Sequence, residues 1–208
     1  MLIIGIHSIF TIIITILLIK TFDKLDENVN IEMSRRDMIG ITIVSLFSSF
    51  CINRVGQDNI FIYIIFTIIN IFIIMMAYTD LKLMEVYGII NFVVLVLVII
   101  YFVPNIDKFR LLISNDMQFK MFLACICILF VLMLTQGVGL GDTMLYFSLG
   151  ILYTVTNKHG CLLLILNILI SNTLFLITNS FKFIKDRKQK LPLIPYILVA
   201  WLILMLIS

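Results

Sequence analysis

The sequence predicts an all-α fold, a polytopic transmembrane helical bundle of about eight spans, with six to eight as the range. Three observations lead there. Of the 208 residues, 62% are hydrophobic and only 13% charged, whereas soluble domains are nearer ~45–50% apolar and ~25% charged. The mean hydropathy is +1.17. The apolar residues form unbroken runs of Ile, Leu, Phe and Val, not the ~10-residue alternating segments of a membrane barrel. This composition excludes an ordinary soluble domain, a disordered chain, a disulfide-stapled secreted module and a nucleic-acid binder. The formal charge of +3 is too small to imply a polyanionic partner.

A membrane-spanning helix needs ~20 mostly apolar residues. The candidate stretches run over about 2–19, 38–53, 60–79, 86–103, 120–136, 143–156, 160–181 and 192–207. The first lacks the basic start and the small-residue cleavage site of a secretory signal, so it reads as a retained span. It is closed by Lys20, Lys24, Arg35 and Arg36, the second by Arg54, the third by Lys82, and the fourth by Lys108, Arg110 and Lys120. No basic residue follows the fifth, Lys158 follows the sixth, and Lys182, Lys185, Arg187, Lys188 and Lys190 follow the seventh. Odd connections therefore hold 10 of the 15 Lys and Arg. The positive-inside rule then puts odd connections in the cytoplasm and both termini outside. The run from Lys182 to Lys190 anchors this topology and can meet anionic headgroups of the membrane lipid. One consequence matters for chemistry: the connections around Asp80 and Asp142 share the cytoplasmic face.

Ionisable groups in or beside spans cost a few kcal/mol and need water or a function. Asp23, Asp26, Glu27, Glu32 and Asp37 share the first connection with four basic residues and read as a solvated loop, as do Asp58, Asp107, Asp116 and Asp186 in other connections. Asp80, Glu85 and Asp142 remain. Asp80 ends the run Ile71 to Thr79, and Asp142 ends Gly137-Val-Gly-Leu-Gly141 ahead of another apolar stretch. Singly, Asp80 could snorkel to the interface and Asp142 could cap the following helix. Together, at the mouths of different helices on one side of the membrane, they read as a carboxylate pair.

Two carboxyl groups within hydrogen-bonding distance share a proton, because both cannot ionise cheaply. One can take a proton from a water attacking a peptide carbonyl while the other protonates the oxyanion or the leaving nitrogen. Gly139 and Gly141 fit the same chemistry as substrate-binding positions, since glycines let backbone approach a peptide closely. Gly137-xxx-Gly141 also reads as a helix-packing patch. Glu85 has three readings: a third carboxylate of the site, a contact for a basic leader peptide, or a water-facing charge.

Other polar residues point away from a second site. His7 and His159 lie far apart in this topology. Asn70, Asn91, Asn167, Asn172 and Gln136 read as interhelical hydrogen-bond partners. Cys51, Cys125, Cys127 and Cys161 all fall in apolar stretches, and Cys125 and Cys127 point to different helix faces, so buried reduced thiols are expected rather than metal ligands or any cofactor.

At these residues the sequence resembles the prepilin peptidases of type IV pili and type II secretion, membrane aspartyl proteases with a GxGD motif. Gly139-Leu-Gly141-Asp142 matches that motif, and the continuation Thr143 to Gly150 is similar to the helix after it. Ala77-Tyr-Thr-Asp80-Leu81 matches the first catalytic Asp, and Lys190-Leu-Pro192-Leu-Ile-Pro195-Tyr-Ile-Leu198 resembles the opening of the last helix. The chain departs from the family pattern at Tyr87 and Gly88, at Met144, where Lys is common, and at Leu193-Ile194, where Phe-Gly is usual. The matching patterns lie over residues 77–198 and imply a catalytic bundle over 61–208; residues 1–60, on which the resemblance says little, read as an N-terminal transmembrane region with a short cytoplasmic loop. It implies Asp80 and Asp142 as the catalytic pair, and a prepilin-like protein substrate with a basic leader and an apolar helix as partner. Some relatives carry a methyltransferase region with paired CxxC zinc ligands after the first span. Here the first connection has about 18 residues and no Cys, so a peptidase-only form is expected. Two rivals stay open: a presenilin-like protease, which lacks support from a Pro-Ala-Leu motif, and a small transporter binding protons or cations at Asp80 and Asp142.

Overall fold

The computed structural model of the chain describes residues 2–25, 33–55, 60–84, 88–107, 110, 114, 116–134, 139–156, 159–185 and 191–207. Among the described residues there is no strand. The helices are α1 (Leu2–Leu25), α2 (Arg35–Val55), α3 (Ile60–Leu83), α4 (Gly88–Phe102), α5 (Asp116–Leu134), α6 (Leu140–Thr156), α7 (Gly160–Lys185) and α8 (Ile194–Ile207), with a 3-10 turn at Val103–Asn105 after α4. Pro104 sits within that turn and offers no N–H to continue the α-helical ladder.

The apolar stretches mark the helices, but not their ends. Helix α1 runs on to Leu25, α3 to Leu83 and α7 to Lys185, while α6 starts at Leu140 and α8 only at Ile194. Hydropathy reports the length that avoids water. Backbone hydrogen bonding continues through polar residues until a cap or a Pro stops it. Asp80 thus lies inside α3, one turn before its end, and Asp142 lies inside the first turn of α6 rather than ahead of it.

Three segments are long and apolar enough to cross a membrane: Tyr63–Leu83, Gly88–Asn105 and Gly160–Asn179. Shorter apolar helices cover Gly5–Thr21, Phe119–Val131 and Ile194–Ile207. Large apolar side chains also face outward, among them Ile9, Phe10 and Ile13 on α1, Phe92 on α4 and Ile177 on α7. A soluble monomer rarely exposes so much apolar surface, and lipid accounts for it. The chain is a membrane protein.

Helix α3 is the central post, packed on α1, α2, α4 and α8, while α8 also touches α2 and α7, and α6 lies against α4, α5 and α7. Aromatic side chains hold the junction. Trp201 of α8, fully buried, stacks on Phe66 of α3 with centroids 5.8 Å apart and tilts against Tyr153 of α6 at 5.5 Å. Phe66 in turn meets Tyr101 of α4 edge-on at 6.2 Å. Apolar contact between helices gains little in lipid, so close aromatic packing of this kind carries much of the association.

Polar pairs add specificity. Asn70 donates to Ser48 Oγ at 2.9 Å across α3 and α2, and Asn167 donates to the Tyr153 hydroxyl at 3.0 Å across α7 and α6. Asn172 reaches the Tyr146 hydroxyl at 3.4 Å. These three act as the interhelical partners expected from the sequence, whereas Asn91 is buried with its Oδ1 unpartnered and Gln136 lies outside the described residues. His7 Nε2 pairs with Thr67 Oγ1 at 2.8 Å between α1 and α3.

Candidate active site

Asp80 is buried at the inner side of the last turn of α3. Its Oδ2 accepts the backbone N–H of Ile194 at 2.9 Å. That donor exists because α8 begins there. The first N–H groups of a helix have no partner within it, and the helix dipole leaves its N-terminus positive. Leu193 O accepts the N–H groups of Tyr196 and Ile197, so Leu193 is the residue from which α8 springs. Pro195 sits in the first turn, where the missing N–H costs nothing. Asp80 is therefore a cap supplied to α8 from a different helix, 114 residues away in sequence.

Asp142 reaches the same region from α6. Its Oδ2 accepts the Gly139 N–H at 3.2 Å, the carboxylate half of a capping box. Thr143 completes the turn, its N–H and its hydroxyl both donating to Gly139 O at 3.0 Å. Gly139 leaves room for this contact: a Cβ there would sit 3.1 Å from Asp142 Oδ2, and the carboxyl would have to shift by a few tenths of an ångström. Gly141, the second glycine of the motif, is part of α6 itself, between Leu140 and Asp142. The two carboxyl groups are near enough for the charge of Asp80 to be felt at Asp142. Asp142 also acts on Tyr146 one turn further along α6, whose hydroxyl is held by Ser171 and Asn172 of α7.

The opposite side of α6 is apolar. Leu140, Thr143, Met144 and Phe147 line a cavity of about 200 Å³ together with Leu95 of α4 and Leu129 of α5. A helical step of ~100° per residue turns these positions away from the Asp142 side. Met144 thus has an apolar environment, turned away from the carboxylates. At Ile194 it is the backbone that Asp80 uses.

The sequence marks Asp80 and Asp142 as candidates but not what holds them. The two prolines were legible as the start of α8; that its amide groups face Asp80 was not. A second group was also missed. Lys82 Nζ lies 2.8 Å from Asp37 Oδ2, and the Tyr78 hydroxyl donates to the same oxygen at 3.5 Å. Asp37 also caps α2, accepting the Ser34 N–H at 2.8 Å while Ser34 Oγ accepts the Asp37 N–H at 3.3 Å. Asp37 is thus a structural tie and not a free loop charge. Its proximity to Lys82 holds its carboxyl down at about 2.

Glu85, Gly137 and Tyr87 lie outside the described residues. Cys51, Cys125 and Cys161 are buried and Cys127 is exposed, and none of the four forms a disulfide. Among the described residues no group of three His, Cys, Asp or Glu side chains is placed to hold a metal ion. Comparison of the chain with known protein families, with curated proteins and with solved structures gives no match.

Proposed function

We propose that the chain is a membrane aspartic endopeptidase that removes the leader of type IV prepilin-like precursors at the cytoplasmic membrane face. In this reading all eight helices are spans, Asp80 and Asp142 form the catalytic pair, and Gly139 and Gly141 border the bound strand. The precursor's apolar helix would lie in the bilayer against the bundle. The observation that supports it most is that the charge of Asp80, at the end of α3, is felt at Asp142, at the start of α6. Such a pair performs peptide hydrolysis without a Ser, Cys or His nucleophile. The sequence resemblance supplies the substrate class.

A proton- or cation-coupled transporter is the competing reading. The polar contacts of His7 with Thr67 and of Asn70 with Ser48, buried between α1, α2 and α3, favour it. Among the described residues that seam carries no carboxylate, and Asp80 and Asp142 stand apart from it at the end of α3 and the start of α6. The deciding experiment uses purified protein in detergent with a prepilin-like substrate. Wild type is expected to release the leader, and Asp80→Asn and Asp142→Asn each to abolish release while the protein inserts and folds. Cleavage unaffected by both substitutions removes the peptidase reading.

A further inference from the structure

Helix α7 carries three asparagines, and each donates its side-chain amide to a tyrosine hydroxyl on a neighbouring helix. Asn167 reaches Tyr153 of α6 at 3.0 Å, Asn172 reaches Tyr146 of α6 at 3.4 Å, and Asn179 reaches Tyr196 of α8 at 3.0 Å. Two of the three follow directly on a hydroxyl residue that joins the same contact. Ser171 Oγ bonds the Tyr146 hydroxyl, and Thr178 Oγ1 lies 2.7 Å from the Tyr196 hydroxyl. The pairs Ser171-Asn172 and Thr178-Asn179 stand seven residues apart, just under two turns, so both lie on one stripe of α7. Polar groups among apolar neighbours are costly to leave unpaired, so each tyrosine is held at a fixed height along this helix.

Tyr196 belongs to the first turn of α8. Its N–H donates to Leu193 O at 3.0 Å, and two residues earlier the Ile194 N–H donates to Asp80 Oδ2 at 2.9 Å. The Tyr196 ring also meets Phe175 of α7 edge-on at 5.7 Å. The arrangement that uses every proton has Thr178 donating to Leu174 O at 2.9 Å and the Tyr196 hydroxyl donating to Thr178. Asn179 then spends its two N–H bonds on Tyr196 and on Phe175 O at 3.1 Å. On the other side Tyr146 lies one turn beyond Asp142 on α6. The first turns of α8 and α6, which bring in the two carboxyl groups, are thus both moored to α7 by a tyrosine.

We propose that α7 is the spacer of the candidate pair. Through Tyr196 it holds the α8 turn that binds Asp80, and through Tyr146 it holds the α6 turn that carries Asp142. Thr178, Asn179, Ser171 and Asn172 are positioning residues that act on the carboxyl groups through these tyrosines. The mooring rests on the hydrogen bonds above; its consequence for catalysis rests on the peptidase reading. Asn167 and Tyr153 supply the comparison, since they make the same contact about three turns along α6 from Asp142.

The test changes each tyrosine to Phe in the full chain in detergent, which removes the hydroxyl and keeps the ring. With a prepilin-like substrate, Tyr196→Phe and Tyr146→Phe are each expected to lower kcat by about 10-fold with KM little changed, and Tyr153→Phe to leave kcat within about 2-fold of wild type. A wild-type kcat in Tyr196→Phe or Tyr146→Phe, or an equal loss in Tyr153→Phe, overturns the proposal. A second readout needs no substrate: hydrogen exchange of the Ile194 amide in ¹⁵N-isoleucine-labelled protein, its signal identified by its loss in Ile194→Val. Tyr196→Phe is expected to speed that exchange by about 5–10-fold and Tyr153→Phe to leave it unchanged. Equal rates in wild type and Tyr196→Phe overturn the proposal. If Tyr196→Phe does not fold, Thr178→Val at the exposed edge of the same contact is read in the same way, and an unchanged rate there overturns it. Exchange that responds as expected in a protein that cleaves no leader keeps the spacer and removes the peptidase reading, so the two failures are distinguishable.

Discussion

Lys82 Nζ of α3 lies 2.8 Å from Asp37 Oδ2 at the start of α2, two residues from the buried carboxyl of Asp80. The contact does three things at once. It pairs a charge at the end of a mostly apolar helix, it leaves Asp37 free to complete its capping box with Ser34, and it ties the α2 and α3 ends together beside the candidate site. Asp37 titrates from an ordinary 3.8 to about 2, chiefly because of the hydrogen bond from Lys82. Since the folded value is the lower one, the stabilisation is fully present above pH ~4 and is lost as pH falls toward 2. The pair is partly solvated, so Asp37→Asn is expected to cost only ~0.5–1 kcal/mol at pH 7. Thermal unfolding of both proteins across pH checks this: the gap between them should close between pH 4 and 2, and a gap that widens on acidification contradicts it.

Ile194→Pro isolates the bond that holds Asp80. Pro suits the first position of a helix, and Ile194 is the first residue of α8, so the change removes the donor without breaking the ladder. It also removes a fully buried side chain, for which Ile194→Ala is the control. Ala is expected to cost ~2–5 kcal/mol through lost packing, and Pro a further ~1–3 kcal/mol for the unpartnered carboxyl. Denaturation in detergent measures both. Equal losses for the two variants would show that the N–H contributes nothing to the anchoring of Asp80.

The fold was legible in the sequence because lipid imposes a simple pattern: long apolar runs, charge at the connections and polar residues paired between helices. The candidate pair was legible for the same reason, as Asp80 and Asp142 stand where apolar runs give no ordinary cause for acid. What escaped was every relationship made by backbone across distant segments. Ile194 looks apolar in the sequence, and nothing in side-chain chemistry announces that its N–H serves Asp80. Asp37 escaped differently: among five acids in a polar connection it has no distinguishing mark until α3 brings Lys82 to it. Helix ends at Leu83 and Leu140 were missed because hydropathy does not see caps.

Met84 shows such an unannounced end. It follows α3 directly, donates its N–H to Asp80 O at 3.0 Å, and has φ of 54°, the left-handed region usually given to glycine. A non-glycine residue there is strained by ~1 kcal/mol, four residues from the Asp80 carboxyl. Met84→Gly relieves the strain at some cost in unfolded-chain entropy, and its half-exposed side chain leaves little packing to lose. A net gain of ~0.5 kcal/mol is expected, read as a rise in Tm of about 1–2 °C. A fall in Tm would mean that the Met84 side chain stabilises the helix end more than its backbone strains it.

Gly160 and Gly139 are both needed, for different reasons. A Cβ on Gly160 would lie 2.4 Å from Thr154 Cα and from Tyr153 O, both backbone, so neither can step aside. Gly160→Ala is expected to separate the start of α7 from the end of α6 at a cost of ~3 kcal/mol or more, visible as reduced yield of folded protein. At Gly139 the obstacle is a side chain, Asp142 Oδ2 at 3.1 Å. The carboxyl can move by a few tenths of an ångström, so Gly139→Ala should fold with a loss of ~1 kcal/mol or less, Ala being a poor residue at a helix start. In the peptidase reading its effect belongs to chemistry: displacing one member of the proposed pair is expected to lower kcat by about 10-fold or more, with KM little changed. Leader cleavage by Gly139→Ala at the wild-type rate, in a protein of near-wild-type Tm, would mean that the position of Asp142 is not what limits catalysis.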